Sequence, residues 1–165
     1  MSRRSIDTMF CRVDSGACDV MGIGQMCVAG MSGPVTVPGL AVTGLAEMLA
    51  GMTFFNITRP GFGLRPNVCT GALNLSTARV SYYTSHVHLG NFAIWELLIR
   101  GLGVDSPCLT WYREANEPGM QALCEFGRST SFFSSVLEKC NPEIGGLACG
   151  NIFSPHQAVM DIGIA

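Results

Sequence analysis

Short apolar runs alternate along the chain with longer stretches whose apolar residues recur at helical spacing. That is the rhythm of strand and helix units building a parallel sheet. The first run, DVMGIGQM at 19–26, predicts a strand, and a Gly-rich loop separates it from a helix over 38–57. Pro38 suits the first turn of that helix, where its missing N–H costs nothing, and Arg59, Pro60 and Gly61 stop it. A second strand is expected within 63–72, then a polar loop to about Ser85. A helix over 88–100 follows, with Phe92, Trp95, Leu98 and Leu102 on one side and Gly101 and Gly103 at its end. A third strand over 108–112 leads into a helix capped by Asn116, with Pro118 near its first turn. Gly127 is expected to bend or split this helix before Cys140, and Asn141 and Pro142 close it. A fourth strand is placed at 144–149, and a last helix begins near Ser154.

The pattern predicts one α/β domain over 1–165, an incomplete parallel (β/α) barrel of the TIM type with about four units. A closed barrel of eight units usually takes ~250 residues, and four units joined by parallel crossovers cannot close.

Composition sharpens this. The chain is 48% hydrophobic and only 13% charged, against an average nearer ~25% charged, so much of it must lie inside something. Net charge is -2 with scattered basic residues, which gives no stripe to follow a phosphate backbone and excludes nucleic acid as the expected partner. The start MSRRSIDTMF carries no apolar run of signal-peptide length, so the expected location is the cytoplasm. The most membrane-like stretch, 40–57, is interrupted by Glu47, Asn56 and glycines, and is expected to be a buried barrel helix and not a span. Eight cysteines show no disulfide framework and read as reduced, mostly buried thiols.

Several residues carry candidate chemistry. GIGQMCVAG at 22–30 has Cys27 where a dinucleotide loop needs its third glycine, which argues against nucleotide binding. His86 and His88, in SHVHLGN, have the spacing of a metal pair but no third ligand close by, so helix entry or pocket hydrogen bonding is expected and no metal is assigned. Tyr112, Arg113 and Glu114 follow the third strand directly, where barrel enzymes keep their working residues. For Arg113 a solvated loop remains an open alternative. Gln25, Asn67, Asn74 and Asn151 fall at or beyond strand ends, where a neutral amide either orients a ligand or builds a local turn. No catalytic residue is assigned.

The run GMSGPVTVPGLAVTGLAEMLAG at 30–51 resembles the segment of trimethylamine methyltransferase-like proteins in which G-x-x-x-P-V-T-x-x-G leads into a helix bearing A-E-x-L-A-G. Arg59-Pro60-Gly61 resembles the family's x-P-G turn. Thr77, Tyr82 and Thr84 fit its M-x-T-G-A-x-x-Y-G-S-P-E segment, with Ser85 and His86 standing for its proline and glutamate. Residues 114–118 (EANEP) with Gln121 and Ala122 are similar to D-x-K-x-P-D-x-Q-A, the lysine being replaced by Asn116. Gly145, Gly146, Ser154, Gln157, Val159 and Asp161 resemble the later G-G-L and S-x-E-Q-L-V-x-D elements, so the match is collinear from about Gly22 to Asp161.

The resemblance implies a full barrel whose other units lie outside this chain. It also implies transfer of a methyl group from a methylated amine to the cobalt of a corrinoid carried by a separate protein. The chain lacks the special residue of the trimethylamine enzymes, and so the resemblance points to a quaternary amine. Quaternary ammonium is held by aromatic faces and carboxylates, which nominates Tyr82, Tyr83, Trp111, Tyr112 and Glu114. The expected substrate-binding set is Gln25, Asn67, Tyr82, His86, Tyr112, Glu114 and Asn151, with association into a homo-oligomer left open. The rival expectation is a truncated, non-catalytic half-barrel acting as a binding or assembly module.

Overall fold

The computed structural model describes residues 3–104, 108–109 and 112–135 together with 143–164, the pair 108–109 by its backbone alone. Its centre is a ladder of two long parallel strands, β1 (Val20–Ala29) and β2 (Gly63–Asn74), in register from Val20 opposite Gly63 to Ala29 opposite Ala72. The other edge of β2 carries β4 (Cys108–Leu109), parallel at Asn67 and Val68, and β3 (Arg79–Ser81), antiparallel at residues 72–74. The result is a mixed α/β sheet whose parallel strands stand in chain order, β1-β2-β4.

Strand alternation divides the sheet into two unlike faces. Met21, Ile23, Gln25 and Cys27 of β1 are buried against helices, while Val20 and Met26 are 54% and 51% exposed on the opposite face. The covering helix α2 (Val37–Thr58) buries Leu40, Ala41, Met48 and Phe55. It is long and apolar enough to cross a membrane by length and composition. Here it lies on β1 and against α3 (Ser85–Glu96), which continues through a π-turn at Leu97–Gly101. The buried side of α3 is Val87, His88, Asn91, Ile94 and Leu98, turned from the expected stripe, and Leu102 is exposed. Asn91 explains the turn: its Oδ1 accepts from Thr70 N at 2.6 Å, filling the gap in the β2 ladder between β3 and β4.

Three described elements escaped the sequence reading, an N-terminal helix, β3 and the short strand at Ile152–Phe153. Helix α1 (Arg3–Asp14) places Met9, Phe10 and Val13 against Met21 and Phe55, and Arg59 clamps it through two bonds to Asp14 at 3.1 and 2.9 Å. Its apolar residues at 6, 9, 10 and 13 carry helical spacing, a legible signal. Strand β3 is too short to be read, and its turn is set by Asn74, whose Oδ1 accepts from Ser76 N and Thr77 N. That assigns Asn74 to a local turn.

The fourth expected strand is corrected. Residues 146–147 form β5 (Gly146–Leu147), paired antiparallel with β6 (Ile152–Phe153) in a separate hairpin. Ala148, Cys149 and Gly150 hold φ of 50°, 57° and 77°, a left-handed run that turns the chain and cannot belong to an extended strand. The start of α4 (Met120–Ser134) is corrected as well: it begins after Gly119, not at Asn116, and runs unbroken through Gly127. The rest of that expected helix, to Cys140, lies outside the described residues, as does Trp111.

The hairpin and α5 (Pro155–Ile162), capped by Ser154, are joined to the sheet by one buried ion pair. Arg113 (2% exposed) donates from Nη1 and Nη2 to the two oxygens of Asp161 (0% exposed) at 2.8 and 2.7 Å, and from Nη2 to Glu143 O at 2.6 Å. Asp161 also accepts from Gly145 N and Gln157 Nε2, and Gln157 Oε1 accepts from Gly119 N. Arg113 is therefore neither a working residue at an open mouth nor a solvated loop residue. Removing one partner of such a pair strands a buried charge at a cost of ~3–5 kcal/mol. Arg113→Ala should lower unfolding stability by about that amount, read as the midpoint in a urea titration; a loss under ~1 kcal/mol would mean the pair joins nothing.

Candidate functional site

The side chains that cluster are those on the uncovered face, at the C-terminal end of the parallel strands. Because Ala72 pairs with Ser81, Tyr82 falls beside Gly71. A Cβ at Gly71 would stand 3.0 Å from the Tyr82 ring and 2.8 Å from Val80, so only glycine lets that ring lie on the strand. The Tyr82 hydroxyl donates to Met26 Sδ at 3.4 Å, reaching across β2 to β1. Tyr112 meets Tyr82 edge-on, with ring centroids 5.4 Å apart. It arrives there because Arg113 and Ala115 turn into the interior, which directs their alternate neighbours Tyr112 and Glu114 the other way.

Glu114 accepts a hydrogen bond from the Ser81 hydroxyl. Behind it the backbone N–H groups of Glu114 and Ala115 donate to Glu125 Oε2 at 2.8 and 3.1 Å, and Gln121 Nε2 donates to Glu125 Oε1 at 2.8 Å. The spacing of Glu114, Gln121 and Glu125 thus fixes a strand-end carboxylate from the first turns of α4. A second carboxylate, Glu143, lies beside Gly146 and Gly150 close to Tyr112, and its Oε2 is buried with no hydrogen-bond partner among the described residues. Sequence reasoning passed over Glu143, since it looked for polar groups beyond the ends of strands and Glu143 precedes one.

Burial dominates the electrostatics of the cluster. Burial, reinforced by Glu143, pushes the Cys69 thiol up to about 12. Burial, then Cys69, Glu143 and Tyr82, pushes the Tyr112 hydroxyl up to about 12 as well. Tyr82 and Cys149 are raised too, burial being the largest cause for both, with Glu114, Glu125 and Glu143 adding at Cys149. Burial also raises Glu143, against the pull of Arg113. These five groups resist gaining negative charge chiefly because they are buried, and nearby carboxylates add to that at Cys69, Tyr112 and Cys149. At neutral pH neither thiol is a thiolate, so neither is an activated nucleophile.

The expected residues divide accordingly. Tyr82 and Tyr112 meet, and Glu114 is tied to Ser81, the residue before Tyr82. Asn67 lies on the same open face, deeper along β2 opposite Gly24. Gln25 faces α2 instead, with its Oε1 accepting from Cys27 N at 2.7 Å, at a cavity of about 580 Å³ lined also by Ile6, Glu47 and Phe54. His86 sits in the first turn of α3, and Asn151 spends its amide on Ala148 O inside the hairpin turn. The six described cysteines are all free. Among the described residues no three His, Cys, Asp or Glu side chains are arranged to hold a metal ion. No protein-family model and no curated protein matches the chain.

Acid should expose the site's supports in order. Burial, aided by Arg128, lowers the His88 pKa from 6.5 to about 4. The unfolded chain therefore takes up this proton first, and the stability it represents is complete above pH 6.5 and lost as pH falls toward about 4, at ~1.4 kcal/mol per unit. Burial by itself would raise Asp161, but hydrogen bonds from Arg113, Gly145 and Gln157 lower it, so its share is present above its usual 3.8 and lost below. Urea midpoints in chloride buffer should drop between pH 6.5 and 4, and His88→Phe should flatten that window. An equal slope in both proteins would show that another group titrates there.

Proposed function

We propose that this chain is part of a cytoplasmic (β/α)-barrel methyltransferase that moves a methyl group from a quaternary amine to the cobalt of a corrinoid held by a partner protein. The observation that carries the reading is the Tyr82–Tyr112 pair at the C-terminal end of the parallel strands, with Glu143 beside Tyr112 and Glu114 bonded to Ser81, next in sequence to Tyr82. A quaternary ammonium accepts no hydrogen bond. It is held by ring faces and nearby negative charge, both of which this cluster offers. The barrel reading is supported by the strand order β1-β2-β4, which runs without the reversal of a doubly wound sheet, and by helices confined to one face.

The partner's corrinoid would supply the nucleophile and accept the methyl group. This chain's own residues bind the amine, orient it and strip its water, the contributions of proximity and desolvation. The open sheet face suits a partner-held reactant: Met26 is half exposed there, and glycines at 22, 24 and 63 leave the surface low. Methyl transfer to reduced corrinoid should be assayed with the full chain and a panel of betaines. A carboxylate 4 Å from the cation contributes on the order of 4 kcal/mol at an effective dielectric of 20, partly offset by desolvation. Glu114→Gln should therefore weaken amine binding by about one to two powers of ten with little change in melting temperature. Unchanged affinity with a lowered melting temperature would make Glu114 a helix-entry residue only.

A second reading, a non-catalytic half-barrel acting as an assembly module, draws support from one observation. The outer edge of β1 pairs with no other strand among the described residues, and Val20 and Met26 are exposed beside it. Sedimentation of the full chain should then show concentration-dependent self-association, and a monomer over the whole range with a sharp cooperative melt contradicts this reading.

A further inference from the structure

The sequence SHVHLGN opens α3, and the cation site uses neither of its histidines. Thr84 caps the helix: its side chain accepts from Val87 N, and its carbonyl accepts from His88 N at 3.1 Å. The first N–H groups, at Ser85 and His86, have no acceptor within the helix and point outward from its positive end. Arg128 of α4 is held at that same end. Its Nη2 donates to Ser85 Oγ at 3.1 Å, and its guanidinium lies 5.0 Å from the Tyr83 ring centroid. A cation beside a helix N-terminus is the opposite of what the dipole favours, and it becomes favourable when both share an anion.

His88 supplies an independent observation. It is 4% exposed, and neither ring nitrogen has a hydrogen-bond partner among the described residues. Buried polar groups left this way cost free energy, which makes each one a sign of something that completes it. Helical side chains lean toward the N-terminus, which brings the His88 ring to Tyr83, with Phe132 and Phe133 also packed against it. Its centroid is 5.7 Å from that of Tyr83, the ring that carries Arg128. His86 Nε2, on the same turn, is also buried without a partner among the described residues. The nearest acid on α4, Glu125, has both oxygens engaged by Glu114, Ala115 and Gln121, and no ion pair of Arg128 forms among the described residues.

We propose that the N-terminus of α3 is a binding site for a small oxyanion, a phosphate ester or a carboxylate, formed by its first-turn N–H groups, the Ser85 hydroxyl and the Arg128 guanidinium, with the His88 imidazole behind them. The site stands apart from the tyrosine pair and does not rest on the methyl-transfer reading. Two charge-assisted contacts and a helix end suit an anion with at least two oxygens.

Titration calorimetry of the full chain with inorganic phosphate and, separately, with acetate tests this. Saturable binding is expected, weakened about tenfold or more by Arg128→Gln and several-fold by Ser85→Ala. Arg100→Gln, a substitution of another exposed arginine at the far end of the same helical segment, should leave binding unchanged. The His88 imidazole ¹⁵N resonances should move on addition of phosphate in the native chain and stay in place in the Arg128→Gln variant. Tighter phosphate than acetate assigns a phosphate ester, and the reverse order a carboxylate. Absence of saturable binding of either anion overturns the site, as does equal weakening by Arg100→Gln and Arg128→Gln.

Discussion

The buried pair of Arg113 and Asp161 is the constraint on which the rest of this molecule depends. Four hydrogen bonds fix Arg113 in the interior, two to the Asp161 carboxylate oxygens, one to the Glu143 carbonyl and one that its own carbonyl accepts from Cys149 N at 2.7 Å, and its guanidinium lies 5.1 Å from the Phe126 ring centroid. One inward residue in an extended segment dictates its neighbours, so Tyr112 and Glu114 are turned to the open face. The same carboxylate receives Gly145 N and Gln157 Nε2 and so anchors the hairpin beside Tyr112. Position along the strand and the shape of the candidate site are thus consequences of one ion pair.

That arrangement also sets the charge of the site. Arg113 is spent on Asp161, so it neutralises Glu143 only in part, and Glu114 has a neutral hydroxyl as its partner. Two carboxylates stand beside two tyrosines and two thiols that all stay protonated. Rings and carboxylates together are the chemistry on which the proposed cation site rests, and the protonated thiols give it no activated nucleophile.

Glycine and amide positions show how much of the site is a matter of room. Gly71 admits the Tyr82 ring and Gly150, at φ 77°, admits Tyr112, where a Cβ would come within 2.6 Å of the ring. Asn91 closes the break in the β2 ladder that the short strands β3 and β4 leave open. In the sequence Gly71 reads as an ordinary strand position, Gly150 as a loop and Asn91 as a helix position, and nothing marks any of them.

By itself the sequence determined that β1, α2, β2, α3 and α5 exist and in what order, because long runs with one period bury one face and the pattern records that burial. Helix α2 falls within one residue of its expected ends, whereas β1 ends three residues later and α3 begins three residues earlier than the pattern implied. The sequence also singled out Tyr112 and Glu114, which follow an expected strand, whereas Tyr82 was nominated only through the family resemblance. It could not separate Gln25 from them, since one step along a strand reverses the face and nothing local marks which face the helices cover. The left-handed run at Ala148, Cys149 and Gly150 was invisible for a related reason: two of those residues adopt a conformation they disfavour, held by bonds to Ala115 and Arg113 that lie more than thirty residues away. The roles of Arg113, Glu143 and Asp161 were decided only by tertiary structure, because a buried charge is stable only once its partner, supplied by a distant segment, has been brought to it.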